Sequence, residues 1–305
     1  MKRKFVLIAF IVLLFFSIIF GKQFPFKNRS FIELWNLGHI FLFFCITFFL
    51  FNYGPFKNGE KKFINDFYII IIISAIGFII ELIQYFYDIG TPDYRDLYKD
   101  YLGAALGYLL TTKYEKSNYY KFSKYIVFLL VLYEFVPFIK SISDEINSNL
   151  QFPLIADFES QLELGRLSGD EIFMISSLYH SKGVSSLKVI FDTTKYSTIS
   201  FDHFPQDWTS YKYLKFDVFN PSTNDINLTC RINDKEHEKS NNFNDRFNKK
   251  CILISGWNEI VISLKEVEKS PISRTMDMMC IANVKIFTIN LAAKKTVFID
   301  YLRLE

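Results

Sequence analysis

Cysteine is scarce, four in 305 residues, and no two stand at a metal-ligand spacing such as CxxC. Cys45 lies in an apolar run and Cys230, Cys251 and Cys280 in the second half, so the three thiols there cannot all pair internally. That half also lacks a glycine-rich phosphate loop, a Ser/His/Asp arrangement at recognisable spacing and a zinc motif. The apolar first half shows no internal repeat, which argues against an alternating-access transporter. The opening apolar run, residues 5–20, ends in Ile-Phe-Gly-Lys with no small-residue cleavage site, so it reads as an uncleaved helix. With 35 basic and 32 acidic residues the whole-chain charge is uninformative, and no nucleic-acid partner is expected.

Hydrophobic residues make up half of the chain and aromatics 18%. Length suggests two domains. Hydrophobic runs crowd the first half and short alternating segments fill the second, which predicts a membrane all-α bundle at 1–140, a linker at 141–153 and an all-β jelly-roll sandwich at 154–305.

Apolar runs at 5–20, 34–51, 67–87, 101–112 and 122–139 predict five transmembrane crossings. Trp35, Tyr53, Tyr68, Tyr108, Tyr119 and Tyr120 lie near run ends, as an interfacial aromatic belt does. Lys2, Arg3 and Lys4, then Lys57, Lys61 and Lys62, then Lys113, Lys116, Lys121 and Lys124 all map to one side, which the positive-inside rule makes cytoplasmic. Five crossings then deliver the second half outside the cell membrane.

Residues 70–110 organise this half. Ser74, Gly77, Glu81, Gln84 and Asp88 recur at three- and four-residue intervals and so share one helical stripe. Asp96, Asp100, Gly103 and Gly107 form a second stripe, whose glycine pair permits close helix approach. Ionisable groups at a membrane boundary are costly unless they find partners, so this stretch is the first functional candidate. His39 and Asn36 begin the second helix from the same outer side. The expected pocket gathers His39, Glu81, Gln84, Arg95 and Asp100, with Asp96 at its rim. Glu134, close to Pro137 on the fifth helix, reads as a structural partner of that cluster.

His39 within LWNLGHIFLFF, Glu81-Leu-Ile-Gln84 and Arg95-Asp-Leu-Tyr-Lys-Asp100-Tyr-Leu-Gly103-Ala-Ala-Leu-Gly107 together resemble VanZ-like membrane proteins. The pattern is a His opening a helix, a Glu-x-x-Gln, and an Arg-Asp followed by an Asp and a glycine-bearing helix. Leu37-Gly38 stands where that family has Asp-Lys, and Tyr101 or Leu102 where it has Asn. The resemblance covers residues 32–110 and implies a bacterial cell-envelope protein tied to glycopeptide-antibiotic resistance.

In the second half SLKVIFD, TISFDHF, YLKFDVFN, INLTCRIND, KCILISG, NEIVISL, VKIFTIN and TVFIDYLRL read as about eight strands. Asn220-Pro221-Ser222 and Ser255-Gly256 supply turns between them. Asp157-Phe-Glu159, Gly183-Val-Ser-Ser-Leu-Lys-Val189, Asp207-Trp208, Arg231-Ile-Asn-Asp234, Asp245-Arg246-Phe-Asn248, Gly256-Trp257-Asn258 and the closing Phe298-Ile-Asp300 resemble the galactose-binding-like sandwich of carbohydrate-binding modules. Asp234, His237, Asn242 and Arg246, with Phe243 near them, are the candidate sugar-binding loop. Trp208 and Trp257 read as core. Asp157, Glu159 and Asp300 are candidates for a shared structural calcium.

Two functions follow. In one, the sandwich holds a neutral or mildly charged envelope carbohydrate or glycolipid close to the membrane lipids. In the other, the cluster is an intramembrane active site on a lipid-linked substrate, with Glu81 or Asp100 as base or acid, His39 passing protons and Arg95 holding an anion.

Overall fold

A computed structural model describes residues 28–53, 62–87, 93–111, 118–240 and 242–305, together with Ile8, Ile11, Val12 and Phe15. Apart from those four residues the expected crossing at 5–20 lies outside the described structure, as do the charges of Lys2, Arg3, Lys4, Lys57, Lys61, Lys113 and Lys116, and Asp88. The chain forms two compact units, residues 1–140 and 141–305.

The first unit is helical: α1 (Arg29–Asn36), α2 (Gly38–Asn52), α3 (Lys62–Phe86), α4 (Tyr94–Thr111) and α5 (Asn118–Glu134), followed by α6 (Val136–Gln151), which runs on into the second unit. Three described stretches are long and apolar enough to cross a membrane: Arg29–Asn52, Tyr68–Phe86 and Asn118–Gln151. The fourth expected crossing is α4, which carries Arg95, Asp96, Lys99 and Asp100 in its first two turns. Large apolar side chains stay exposed on these helices, among them Phe78 on α3 and Phe122 and Leu129 on α5.

Gly103 and Gly107 do bring two backbones together, but against α2 rather than α3. A Cβ at Gly103 would lie 2.2 Å from the Ile40 carbonyl oxygen, and one at Gly107 2.9 Å from that of Phe44. The α3 stripe meets α4 at Gly77, where a Cβ would fall 2.6 Å from Asp100 Oδ2. The helix breaks at Phe135, between α5 and α6, and Pro137 then stands in the first turn of α6, where a missing N–H costs nothing.

The stretch 141–153, read as a linker, is helical through Gln151. Ser141, Asp144 and Ser148 lie at helical spacing and are its buried residues, a period that the polar composition disguises. Asp144 is closed off by Arg166, whose Nε donates to both carboxylate oxygens at 3.1 Å and whose Nη2 donates to Oδ1 at 2.9 Å.

The second unit is a sandwich of two antiparallel sheets. One has the order β3 (Ile172–Ser176), β4 (Ser186–Phe191), β11 (Lys295–Leu304), β6 (Tyr213–Asn220), β9 (Gly256–Ser263), with β1 (Leu154–Ala156) also on β11. The other runs β2 (Leu167–Gly169), β5 (Tyr196–Phe201), β10 (Ile281–Ile289), β7 (Ile226–Asp234), β8 (Phe247–Leu253). The eight anticipated strands are β4 to β11. The sequence reading missed β1, β2 and β3, the first two being only three residues long. Two short helices, α7 (Lys235–Ser240) and α8 (Leu264–Glu268), complete the unit.

Alternation fills the interior with Leu187, Val189, Phe191, Ile199, Phe201, Leu214, Phe216, Val218, Leu228, Ile232, Val284 and Ile286. Trp208 is fully buried and donates from Nε1 to the Pro205 carbonyl at 3.1 Å. Trp257, expected in the core, is 40% exposed at the edge strand β9, its ring 5.2 Å from Phe219 on the outward face. All four cysteines are free thiols.

Candidate functional site

On the five-stranded sheet, the residues between the core positions face outward. β7 places Thr229, Arg231 and Asn233 there, and β10 places Asn283, Lys285 and Phe287. The register pairs them: Asn233 opposes Asn283, Arg231 opposes Lys285 and Thr229 opposes Phe287. β5 adds Ser200 opposite Lys285, Thr198 opposite Phe287, and Tyr196, whose ring meets Phe287 edge-on at 6.2 Å. β8 adds Asn248 opposite Arg231 and Lys250 opposite Thr229. A cation row, an amide pair and an aromatic pair therefore share one face.

Asn233 is only 1% exposed and Asn283 6%. Buried polar groups normally find partners. Among the described residues, however, Asn233 Oδ1, Asn283 Oδ1, Arg231 Nε and Arg246 Nε are buried without a hydrogen bond. Burial, then the neighbouring Arg246, pushes the Arg231 guanidinium down to about 10. Lys285 is lowered by burial and then by Arg231, with Asp202 and Glu238 offsetting part of this. Burial also lowers Arg246, which lies 4.7 Å over the Phe243 ring. Three cations are thus crowded and partly dehydrated, which an arriving anion would relieve.

The loop expected to read sugar behaves otherwise. Asp234 is fully buried and accepts from Arg274 twice, from Nη1 at 2.5 Å and Nη2 at 2.8 Å, and from the backbone N–H of His237 and Asp277. Burial pushes its carboxyl up, but Arg274 and the two N–H donors outweigh this and hold it below the usual value. Asn242 bends its own loop, its Oδ1 accepting from the Asn244 N–H at 3.0 Å. His237 is buried, and its Nε2 accepts from Arg231 Nη2 at 2.6 Å. Asp234 and Asn242 thus maintain the loop, while His237 and Arg246 border the cationic face. The alternation of Thr229, Arg231 and Asn233 was visible in sequence, but strand register was needed to set Lys285 beside Arg231.

The three candidates for a shared structural calcium, Asp157, Glu159 and Asp300, all accept hydrogen bonds from the protein. Asp300 Oδ2 accepts from Ser181 N at 2.6 Å, Ser181 Oγ at 3.1 Å and Lys182 N at 3.1 Å, and Oδ1 accepts from Tyr301 N at 2.8 Å. Glu159 Oε1 accepts from Val184 N and Ser185 N at 2.9 and 3.0 Å. Both carboxylates thereby pin the 181–185 loop. Gly183 completes the clamp at φ +58, where a Cβ would come within 2.2 Å of Glu159 Oε1. Asp157 Oδ1 takes the Glu159 N–H at 3.4 Å. Four carboxylate oxygens, Asp300 Oδ1 and Oδ2, Glu159 Oε1 and Asp157 Oδ1, thus accept hydrogen bonds within the protein.

In the helical unit, His39 and Asp100 are both buried, and His39 Nδ1 lies 2.8 Å from Asp100 Oδ1. His39 Nε2 is 3.9 Å from Asp96 Oδ2, and Asp96 is half-buried beside it. Glu81 joins His39 and Asp96, one ligating atom of each lying within 4.8 Å of the others. Gln84 is buried on α3, one turn beyond Glu81. Arg95 does not join. Its side chain is exposed, hydrogen-bonded to Tyr94 and within electrostatic reach of Asp93 and Glu134. Residues 95 and 96 point about 100° apart on a helix, so when Asp96 faces inward Arg95 cannot. Glu134 lies within electrostatic reach of Arg95.

No family model and no curated protein matches this chain. Among solved structures, the family 11 carbohydrate-binding module from Clostridium thermocellum, in complex with a β-1,3-1,4-mixed-linked tetrasaccharide, is 18% identical. That match covers 50% of this chain and 93% of that one, with a TM-score of 0.38. The family 30 module of the Clostridium thermocellum cellulosomal cellulase Cel9D-Cel44B is 15% identical, covering 46% and 86%, with a TM-score of 0.33. An exo-β-agarase is 15% identical, covering 50% of this chain but 24% of its own, with a TM-score of 0.41.

Proposed function

We propose that this chain is a multi-pass protein of the bacterial cell envelope whose sandwich binds an acidic glycan on the outward face of the five-stranded sheet. The observation that carries the reading is the set of four buried polar atoms without partners, Arg231 Nε, Arg246 Nε, Asn233 Oδ1 and Asn283 Oδ1, beside Lys285. Planar guanidinium groups match carboxylate or phosphate, amides match hydroxyls, and the Tyr196 and Phe287 rings offer apolar faces to a pyranose. The membrane assignment is supported by the three long apolar helices and their exposed Phe and Leu side chains. The Lys- and Arg-rich segments that map to one side of the apolar runs support an outer location for the sandwich, where such a glycan is found. The motif resemblance to VanZ-like proteins extends the proposal to an effect on glycopeptide susceptibility.

The test uses the full chain in detergent against immobilised acidic and neutral polysaccharides over a salt series. Retention of the acidic polymers, weakened by salt and by Arg231→Ala with Arg246→Ala, is expected. Equal retention of neutral polymers, or no effect of the two substitutions, would place binding elsewhere.

A second reading is favoured by the His39–Asp100 bond, which orients an imidazole as acid–base groups are oriented. In it the helical unit acts on a lipid-linked envelope substrate through His39, Glu81 and Asp100.

A further inference from the structure

The three converging side chains in the helical unit share one feature: each has one polar atom committed and a second left over. His39 uses Nδ1 toward Asp100 Oδ1 at 2.8 Å. Asp96 gives Oδ1 to Lys99 Nζ at 3.0 Å. Glu81 gives Oε2 to the Asp93 N–H at 3.3 Å. What remains is His39 Nε2, Asp96 Oδ2 and Glu81 Oε1. The first two are 3.9 Å apart, and Glu81 Oε1 is buried without a hydrogen bond. With Nδ1–H donated to Asp100, Nε2 presents a lone pair toward Asp96 Oδ2, and a carboxylate oxygen of Glu81 lies within 4.8 Å of a ligating atom of each. Such a set of lone pairs is stabilised by a positive centre, either a metal ion or a shared proton.

We propose that His39, Glu81 and Asp96 bind a divalent ion of the zinc class, with Asp100 as the positioning residue behind the histidine. One imidazole nitrogen and two carboxylate oxygens suit zinc, and a carboxylate behind the ligating His fixes its tautomer and raises its basicity. Ligands about 2.1 Å from a tetrahedral ion stand roughly 3.4 Å apart, so the His39–Asp96 edge needs to contract only by about 0.5 Å. Three protein ligands leave a coordination position open, as in sites that hold a water or a substrate oxygen. Gly77 is part of the support, since any side chain there would strike Asp100. This inference concerns the helical unit and stands independently of glycan binding by the sandwich.

The full chain, purified in detergent, is stripped with chelator, reloaded with Zn²⁺ or Co²⁺, desalted and assayed by elemental analysis and visible absorption. The expected result is one ion per chain, with Co²⁺ bands of low-coordinate intensity. Glu81→Gln and Asp96→Asn, both close in shape to the originals, should each weaken binding at least tenfold. Asp100→Asn should weaken it by about 10- to 100-fold and shift the Co²⁺ spectrum, which loss of packing alone would not do. Each variant is accepted only if it keeps wild-type helical circular dichroism and a monodisperse elution. A folded wild type that retains no ion would overturn the proposal and leave a proton shared by His39 and Asp96 as the occupant. Undiminished binding by folded Glu81→Gln and Asp96→Asn would overturn it equally, since the ion would then sit elsewhere.

Discussion

Arg231 of β7 and Lys285 of β10 stand directly opposite each other on the outward face of the five-stranded sheet. Like charges in that position cost stability. Arg246 is also close by, so the anion binding proposed above would relieve a repulsion that the fold itself carries.

Replacing Lys285 by Met should therefore separate the two roles. Removing the repulsion is expected to raise folding stability by about 0.5 kcal/mol, whereas loss of a charge-assisted contact should weaken acidic-glycan binding roughly tenfold. Urea titration and polysaccharide affinity measured on the same sample check the pair of signs. A fall in both would make Lys285 a purely structural cation.

His237 gives a pH signature. Burial, then Arg231 and Arg246, hold its imidazole below the ordinary 6.5. Between 6.5 and the folded value the unfolded chain takes up a proton that the folded chain refuses, so stability falls as pH drops through that window and is flat above it. His237→Gln removes this acid-side loss, so its urea midpoint at about pH 5.5 should rise relative to that at about pH 7.5 when compared with wild type, over the opposite slope that Glu163, raised to about 7 by burial, contributes in both proteins. An unchanged slope in that variant would assign the loss to another group.

Arg274 closes the charge of Asp234, and it also donates from Nε to Asp245 Oδ1 at 2.6 Å. Arg274→Met leaves a fully buried carboxylate without its cation and should cost about 3 kcal/mol. Adding Asp234→Asn should return part of that loss. Chemical denaturation of the two variants decides this, and a single variant as stable as wild type would show the pair to be idle.

Because Asp144 neutralises the buried Arg166, a fragment starting at Ser141 should be more stable than one starting at Leu154. The difference expected is about 3 kcal/mol, the cost of stranding a buried guanidinium. Thermal melts of the two fragments measure it, and equal melting would show that water replaces Asp144 without penalty.

Gly103 tests the helical packing. A methyl group there meets the Ile40 backbone rather than a flexible side chain, so Gly103→Ala should cost about 2 kcal/mol or more. Denaturation of the full chain in mixed detergent micelles reads this loss directly. Wild-type stability in Gly103→Ala would mean that α2 and α4 lie further apart.

Much of this protein is decided locally, and that part was legible in the sequence. Runs of apolar residues fix helices in the first half, because a backbone surrounded by apolar side chains must satisfy its own hydrogen bonds. Alternation fixes β4 to β11, because side chains on a strand must point to opposite faces. The convergence of His39, Glu81 and Asp100 was also accessible, since helical spacing places each on an inward stripe. Proximity along the chain misled where two neighbours face different ways. Arg95 points outward while Asp96 points inward, and the charge of Asp234 is met by Arg274, forty residues later in the chain. The same holds for the sheet face. The cation pair of Arg231 and Lys285 depends on which strands neighbour one another and in what register, a choice made by burial of the whole core rather than by any one segment.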